Sequence, residues 1–112
     1  MHNFEKLLFW QKSIILAKNV YIICQEISDD EKYGLISQIK RSAVSIAEGS
    51  GRNGNKEFNH FLAVALGSAF ELQTQLILVR ELNLLPEEKI MTLLKEVSEI
   101  QRMIYSFKNN LK

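Results

Sequence analysis

The sequence predicts an all-α protein, an antiparallel up-down-up-down four-helix bundle. Apolar residues recur at spacings of three and four along four long segments, and no segment shows the alternation typical of a strand. Connections of about three to six residues favour antiparallel neighbours. At 112 residues the chain is short enough for one domain, which we assign to residues 1–112.

The first two helices are predicted from their apolar spacing and from turn signals. The first runs from about residue 4 to residue 27, and its apolar stripe comprises Phe4, Leu7, Leu8, Ile14, Ile15, Ala17, Tyr21, Cys24 and Ile27. A second apolar set points away from that stripe: Phe9, Trp10, Leu16, Val20, Ile22 and Ile23. Ser28 and Glu31 form a capping box, which predicts the start of the second helix. The glycine-rich run 49–54 ends that helix.

The third and fourth helices are marked by their ends as well as by their spacing. The third begins at residue 53 or 55 and continues to about residue 82, and its outward apolar set is Val64, Leu66, Phe70 and Ile77. Pro86 followed by Glu87 and Glu88 starts the fourth helix. Its apolar residues alternate between spacings of three and four: Ile90, Leu93, Val97, Ile100, Ile104, Phe107 and Leu111.

The second apolar surfaces of the first and third helices predict a homo-oligomer. A single small bundle cannot bury both faces of a helix, and clustered exposed hydrophobic residues mark an interface. The alternative is a monomer with scattered surface hydrophobic residues, which need no partner.

Composition limits the classes of partner and compartment. The net charge is +1, so no strong overall field attracts nucleic acid or an anionic membrane. The single cysteine, Cys24, cannot form an intrachain disulfide, and its apolar surroundings favour burial. The N-terminus lacks a leader pattern, and the longest uninterrupted apolar runs, 20–24 and 62–66, are far shorter than the roughly 20 residues of a membrane span. We expect a cytoplasmic protein that does not cross a membrane.

The residues offer little support for catalysis. Glu57 and His60 have the Glu-x-x-His spacing of di-iron bundles, but that centre needs a second copy, and the other histidine is His2. Cys24 has no evident base partner, and the sequence has no phosphate-cradling glycine motif after a strand. We expect no enzyme activity, no metal and no cofactor.

A local excess of positive charge lies around the second connection. Residues 40–60 contain the cations Lys40, Arg41, Arg52 and Lys56 and the acids Glu48 and Glu57. Repeated around an oligomer, these cations could contact phosphates. The alternative is a structural pair between Glu48 and Arg52, with Lys40 and Arg41 simply solvated.

Glu71 is an acid on a strongly apolar helix. We expect it to pair with Arg41 or Lys40 of the neighbouring helix, which would fix the helix register. Ala63, Gly67, Ser68 and Ala69 form a small-residue patch that would allow a close backbone approach, and we expect it to serve packing.

Five motifs together point to a family. They are Phe9-Trp10-Gln11-Lys12, the segment 33–46, Ala47-Glu48-Gly49 through Arg52, Lys56-Glu57-Phe58, and the segment 65–76. They extend over nearly the whole chain and resemble the four-helix bundle proteins called 23S rRNA intervening-sequence proteins. The resemblance implies a small bacterial cytoplasmic homopentamer with no known enzyme activity. A related branch looks like the accessory protein of diversity-generating retroelements, whose basic ring binds nucleic acid and a reverse transcriptase.

The chain departs from that family in two respects. About four residues are missing between Ile46 and Ala47, which shortens the second helix by about 6 Å, close to one turn. The isoelectric point of about 7.8 is also lower than that of the strongly basic retroelement proteins. The sequence thus favours a non-enzymatic homo-oligomeric bundle that binds RNA or DNA. The alternative is an interaction scaffold that docks a partner protein and does not bind nucleic acid.

Overall fold

The computed structural model describes residues 3–28, 30, 32–51 and 55–110. It contains four α-helices: α1 (Asn3–Cys24), α2 (Ser37–Ser50), α3 (Asn55–Glu81) and α4 (Glu87–Asn110). A π-helical turn, Lys32–Ile36, leads directly into α2, and the described residues contain no strand. The predicted all-α class and the four helices are therefore confirmed.

The helices form an elongated bundle of 43 × 24 × 18 Å with neighbours antiparallel. Side-chain bonds show the pairing. Ser68 donates to Ser45 between α3 and α2 (2.8 Å), Asn19 donates to Glu96 between α1 and α4 (3.0 Å), and Gln101 donates to Gln73 between α4 and α3 (3.1 Å). Because α1 and α3 each pack against α2 and α4, they lie on the diagonal of the bundle.

The α2 helix begins later than its capping box predicts. The Ser28 hydroxyl accepts a bond from the Asp30 amide at 3.3 Å, and Glu31 lies outside the described residues. Ile36 already has helical dihedral angles (φ −59°, ψ −47°) because the π-helical turn runs into α2 without a break. The continuing helix therefore replaces the side-chain cap at this point.

The α3–α4 connection is set by Asn83 and Pro86. Asn83 has a positive φ of 56°, and the next amide, that of Leu84, donates to the carbonyl of Val79 at 3.0 Å. The helix α3 therefore ends at a residue in the left-handed backbone conformation, which asparagine tolerates better than most residues. The carbonyl of Pro86 accepts from the Ile90 amide at 3.4 Å, so α4 begins one residue after the proline.

The core lies between the four helices and confirms the stripe predicted for α4. Ile90, Leu93, Val97, Ile100, Ile104 and Phe107 are all buried, whereas Leu111 lies outside the described residues. The Phe107 ring packs against Phe9 and Phe58, with centroids 5.3 and 5.9 Å apart. These aromatic contacts join α1, α3 and α4 at one end of the bundle.

The predicted inward face of α1 is wrong. The buried residues of this helix are Phe9, Ser13, Leu16, Val20, Ile23 and Cys24, which are mostly those assigned to the outward set. Most of the predicted stripe is exposed instead. Both faces of α1 are apolar, so hydrophobicity alone does not select the buried one. Polar contacts lie at the α4 edge of the observed arrangement, where Lys12 pairs with Glu99 and Asn19 bonds Glu96.

A close approach of α2 and α3 occurs at Gly49. A Cβ atom on Gly49 would lie 3.0 Å from the carbonyl oxygen of Phe61 and 3.3 Å from the Cβ of Ala65. The predicted small-residue patch packs only in part. Ser68 and Ala69 are buried, and Ser68 bonds Ser45 of α2, whereas Gly67 is exposed and a Cβ added there would meet nothing within 4 Å.

Two helical segments, Phe4–Cys24 and Glu57–Glu81, are long and apolar enough to span a membrane by length and mean hydropathy. Polar and charged residues interrupt both helices, so their uninterrupted apolar runs are far shorter than a membrane span. Core helices of soluble bundles pass the same test, so the observation is weak by itself. It does identify α1 and α3 as the helices with apolar surface on two sides.

Candidate nucleic-acid interface and the surfaces around it

Lys40 and Arg41 lie together on the outer side of α2. They line a groove of about 420 Å³ between α1 and α2, hereafter the cationic groove, with Tyr21, Ser37, Val44, Ser45 and Glu48. The Lys40 Nζ lies 4.9 Å from the centroid of the half-exposed Tyr21 ring, a cation–π contact. The Arg41 side chain is exposed and donates to the Ser37 hydroxyl at 3.4 Å.

Neither cation is neutralised by a described acid. The ion pairs among the described residues are Lys12–Glu99, Lys89–Glu26 and Arg80–Glu81. Glu48, the nearest acid in the groove lining, is exposed and lies two helical turns beyond Arg41. The guanidinium and the ammonium are thus available to an anion in solution.

The structure describes only the backbone of one of the other two predicted cations and nothing of the other. Arg52 lies outside the described residues, and Lys56 is in the first turn of α3 with its side chain outside the described part. The suggested Glu48–Arg52 pair falls outside the described residues for the same reason. What the structure brings together is therefore Lys40, Arg41 and Tyr21.

A second, polar surface lies on the other side of Arg41, between α2 and α3. One cavity of about 450 Å³ is lined by Gln38, Arg41, Ser42, Ser45, Ser68, Glu71 and Gln75. An adjoining cavity of about 420 Å³ is lined by Leu35, Gln38, Gly67, Phe70, Glu71, Thr74, Gln75 and Leu78. We refer to the two together as the α2/α3 groove.

The ion pair predicted for Glu71 is not formed within the chain. Glu71 is exposed and has no described cation within ion-pair distance, although it shares the groove with Arg41. The reason is that α3 is apolar on two sides, and Glu71 lies on the outer one. Beside it, the buried Oε1 of Gln75 has no hydrogen-bond donor.

Two buried or half-buried groups titrate abnormally. Burial raises the pKa of the Cys24 thiol, against a smaller lowering effect of the Lys40 ammonium. The pKa of the Glu96 carboxyl is also raised, chiefly by burial and further by Glu99, while the hydrogen bond from Asn19 acts in the opposite direction. Cys24 is buried, as its sequence context predicts.

The described residues contain no group of three or more His, Cys, Asp or Glu side chains that could hold a metal ion. His60 is exposed, with its ring 5.2 Å from that of Phe61. Glu57 is exposed on the same helix.

Sequence reasoning missed three features of these surfaces. Tyr21 was assigned to the core stripe of α1, because nothing local distinguishes the two apolar faces. Gln38 and Gln75 were not identified as groove residues. The spacing of Gln38, Arg41 and Ser45, at intervals of three and four, is a signal that could have revealed the polar stripe of α2.

The family model of the 23S rRNA-intervening sequence proteins matches residues 5–106. The chain belongs to the 23S rRNA-intervening sequence protein family. The fold of this family member is similar to a crystal structure described as a protein of unknown function from the S23 ribosomal protein family of Bacteroides thetaiotaomicron. The TM-score is 0.84 at 20% identity, over 94% of this chain and 98% of that chain, which shows a shared fold. No curated protein matches this family member.

The α2 helix of this family member is continuous across Ile46 and Ala47, where the family resemblance predicts a shortened helix. The helix runs unbroken from Ser37 to Ser50 through Ile46 and Ala47, and Ile46 and Ala47 are both buried. The cationic groove and the α2/α3 groove both lie along this stretch.

Proposed function

We propose that this chain is a non-enzymatic, homo-oligomeric accessory protein that binds RNA or DNA. The observation that supports this function best is the pair Lys40 and Arg41, adjacent on α2 without a described acid partner: Arg41 is exposed, and the half-buried Lys40 lies next to the ring of Tyr21. Cations beside an exposed aromatic ring form the usual combination for phosphate contact and base stacking.

Each group has a distinct role in the proposal. Lys40 and Arg41 contact backbone phosphates, and Arg52 and Lys56 extend the contact along the α2–α3 connection. Tyr21 offers a face on which an unpaired base can stack, which favours single-stranded or looped segments over uniform duplex. Glu48 limits how far a phosphate backbone can follow the groove, because a carboxylate repels it.

Self-association multiplies this small site. One chain has a net charge of only +1, so a single copy has little long-range attraction for a polyanion. Several copies in one assembly place several Lys40–Arg41 pairs on one particle, and linked contacts raise avidity without new contacts. We adopt the homopentamer implied by the family resemblance as the proposed assembly.

We also propose a cytoplasmic location without membrane insertion. Gln11 and Lys18 lie along the exposed face of α1, and a lysine in the middle of that face is costly in a bilayer. Flotation of the purified protein with vesicles of zwitterionic and anionic lipid tests this, and co-flotation with zwitterionic vesicles would contradict it.

Fluorescence anisotropy with structured RNA and with duplex DNA, at two salt concentrations, tests the proposed function. The test variant replaces Lys40, Arg41, Arg52 and Lys56 by alanine. The control removes the same number of positive charges from α4 by changing Lys89, Lys95, Arg102 and Lys108 to alanine. Salt-sensitive binding that is lost in the test variant and kept in the control supports the proposal. Absence of binding at low salt would refute it.

The second candidate function is a protein-interaction scaffold that never contacts nucleic acid. The large hydrophobic residues exposed along α1 favour it, since such a face suits a protein partner. Salt dependence separates the two functions. Each phosphate contact contributes about 0.9 to the slope of log affinity on log salt for duplex and about 0.7 for single strands, whereas a scaffold shows no nucleic-acid binding to which such a slope could apply.

A further inference from the structure

The exposed side of α1 is too large and too apolar to face water. Between Phe4 and Ile22 every exposed residue is a large hydrophobic one except Gln11 and Lys18. This outer face of α1 comprises Phe4, Leu7, Leu8, Trp10, Ile14, Ile15 and Ile22, exposed by 37 to 73%, whereas Tyr21 lies at its edge in the cationic groove. At about 200 Å² for each fully exposed side chain, it presents roughly 700 Å². That is close to one partner's share of a standard protein interface and more than the largest patch of a typical monomer.

The α2/α3 groove has the length and the recess to receive the C-terminal half of this face. On α3 the groove is lined from Gly67 to Leu78, and on α1 the exposed residues of that half extend from Gln11 to Ile22. Both stretches span about 17 Å at the helical rise of about 1.5 Å per residue. Gly67 forms an open recess in the groove, since a Cβ there would meet nothing within 4 Å, and Phe70 and Leu78 line the same cavity.

The polar groups of the two surfaces are complementary. The outer face of α1 carries Gln11 and Lys18, which donate hydrogen bonds. The groove carries acceptors without a described donor: the Glu71 carboxylate and the buried Oε1 of Gln75. A buried acceptor without a donor costs about 1–3 kcal/mol and requires an explanation. The ammonium group of a lysine or the amide group of a glutamine from outside the chain would provide the donor.

We propose that the outer face of α1 of one copy docks on the α3 side of the α2/α3 groove of a second copy, in a head-to-tail contact. The cavity on that side, lined by Gly67, Phe70 and Leu78, does not include Arg41, which also lines the cationic groove. This rests on the homo-oligomer in the proposed function and identifies the two surfaces that meet. Pairing two α1 faces would bring two Lys18 side chains together with no described acid on either face, whereas the head-to-tail contact brings Lys18 to Glu71. Because α1 and α3 lie on the bundle diagonal, each copy can dock on both sides, and the contact repeats until a ring closes.

Two variants, each blocking one surface, test the contact. The first changes Ile15 and Ile22 to glutamate on α1, and the second combines Gly67→Leu with Phe70→Glu on α3. All four positions are exposed, so the bundle keeps its fold, which circular dichroism verifies. A matched control, Lys95→Glu with Arg102→Glu, places two carboxylates on exposed positions of α4.

Light scattering after gel filtration gives the masses. We expect each blocked variant to elute as a 12.9 kDa monomer and the control to assemble like the unmodified chain. An equimolar mixture of the two variants should form a heterodimer and nothing larger, since only one intact α1 face and one intact groove can meet. Self-association of either blocked variant would overturn the proposal. So would two monomeric variants that form no heterodimer, or an unmodified chain that is monomeric.

This result is independent of nucleic-acid binding. If the unmodified chain assembles and the mixture forms a heterodimer while no RNA or DNA binds, the contact stands and the proposed function fails. If RNA binds with the expected salt dependence and both blocked variants still assemble, the head-to-tail contact alone is overturned.

Discussion

Gly49 on α2 lies against Phe61 on α3 so closely that an added Cβ would be 3.0 Å from the Phe61 carbonyl oxygen. The neighbour is backbone in the middle of a helix and cannot move away as a flexible side chain could. This contact limits how close α2 and α3 lie near the C-terminal end of α2.

Gly49→Ala is therefore expected to destabilise the bundle by about 1–3 kcal/mol, the usual cost of overpacking. Gly67→Ala is the matched control, because its Cβ would lie in open space and alanine in a helix is favoured over glycine by about 1 kcal/mol. Urea unfolding of both variants, in chains also carrying Ile15→Glu and Ile22→Glu, compares them without self-association. Equal effects of the two substitutions would contradict the close approach at Gly49.

Tyr21→Ala is expected to weaken binding of single-stranded RNA by roughly 5- to 150-fold, since loss of a stacking side chain costs about 1–3 kcal/mol per base. Tyr21→Phe retains the ring and should bind nearly as well as the unmodified chain. Anisotropy titrations at one salt concentration compare the two. Similar losses in both variants, or in neither, would argue against base stacking on this ring.

The Cys24 thiol is expected to react slowly with a disulfide reagent at mildly basic pH. It is buried, and burial raises its pKa, so the reactive thiolate is scarce and shielded. We expect at least about a tenfold slower reaction in the native protein than in denaturant, measured by release of the coloured thiol. Equal rates in the two conditions would mean that α1 is not packed as described.

Glu96→Gln is expected to stabilise the protein at neutral pH. The raised pKa means that the folded protein holds this proton more tightly than the unfolded chain, so stability falls as pH rises through the carboxyl pKa. Glutamine removes that cost and keeps an acceptor for Asn19. Because Glu96 is partly solvated, the gain should be only about 0.5 kcal/mol.

Urea unfolding across the acidic to neutral range measures this effect. The stability of the two proteins should converge at low pH, where the carboxyl is protonated in both folded and unfolded states. A gain that persists unchanged at low pH would show that titration of Glu96 is not its cause.

The sequence defined the bundle best where a helix has a single apolar stripe. The stripe of α4 was predicted residue by residue, because its other side is polar and only one orientation buries the apolar residues. The orientation of α1 was not predictable from hydrophobicity, because both sides are apolar. In the structure the orientation is accompanied by contacts distant in sequence, between Lys12 and Glu99 and between Asn19 and Glu96, which no local pattern displays.

The sequence predicts the charged residues of the candidate site but not the residues that surround them. Lys40 and Arg41 follow from a local excess of cations, which a sequence displays directly. Their neighbour Tyr21 belongs to another helix, and its position depends on the orientation of α1. The partner expected for Glu71 was wrong for the same reason: an acid on a helix with two apolar sides can face either way.

The salt dependence of RNA binding, compared between the unmodified chain and the Lys40→Ala, Arg41→Ala variant, tests the central claim most directly. If both side chains contact phosphates, the slope of log affinity on log salt should become shallower by at least about 1.4 for a single strand, or about 1.8 for duplex. An unchanged slope, or no binding by the unmodified chain at low salt, would contradict the proposed nucleic-acid interface on α2.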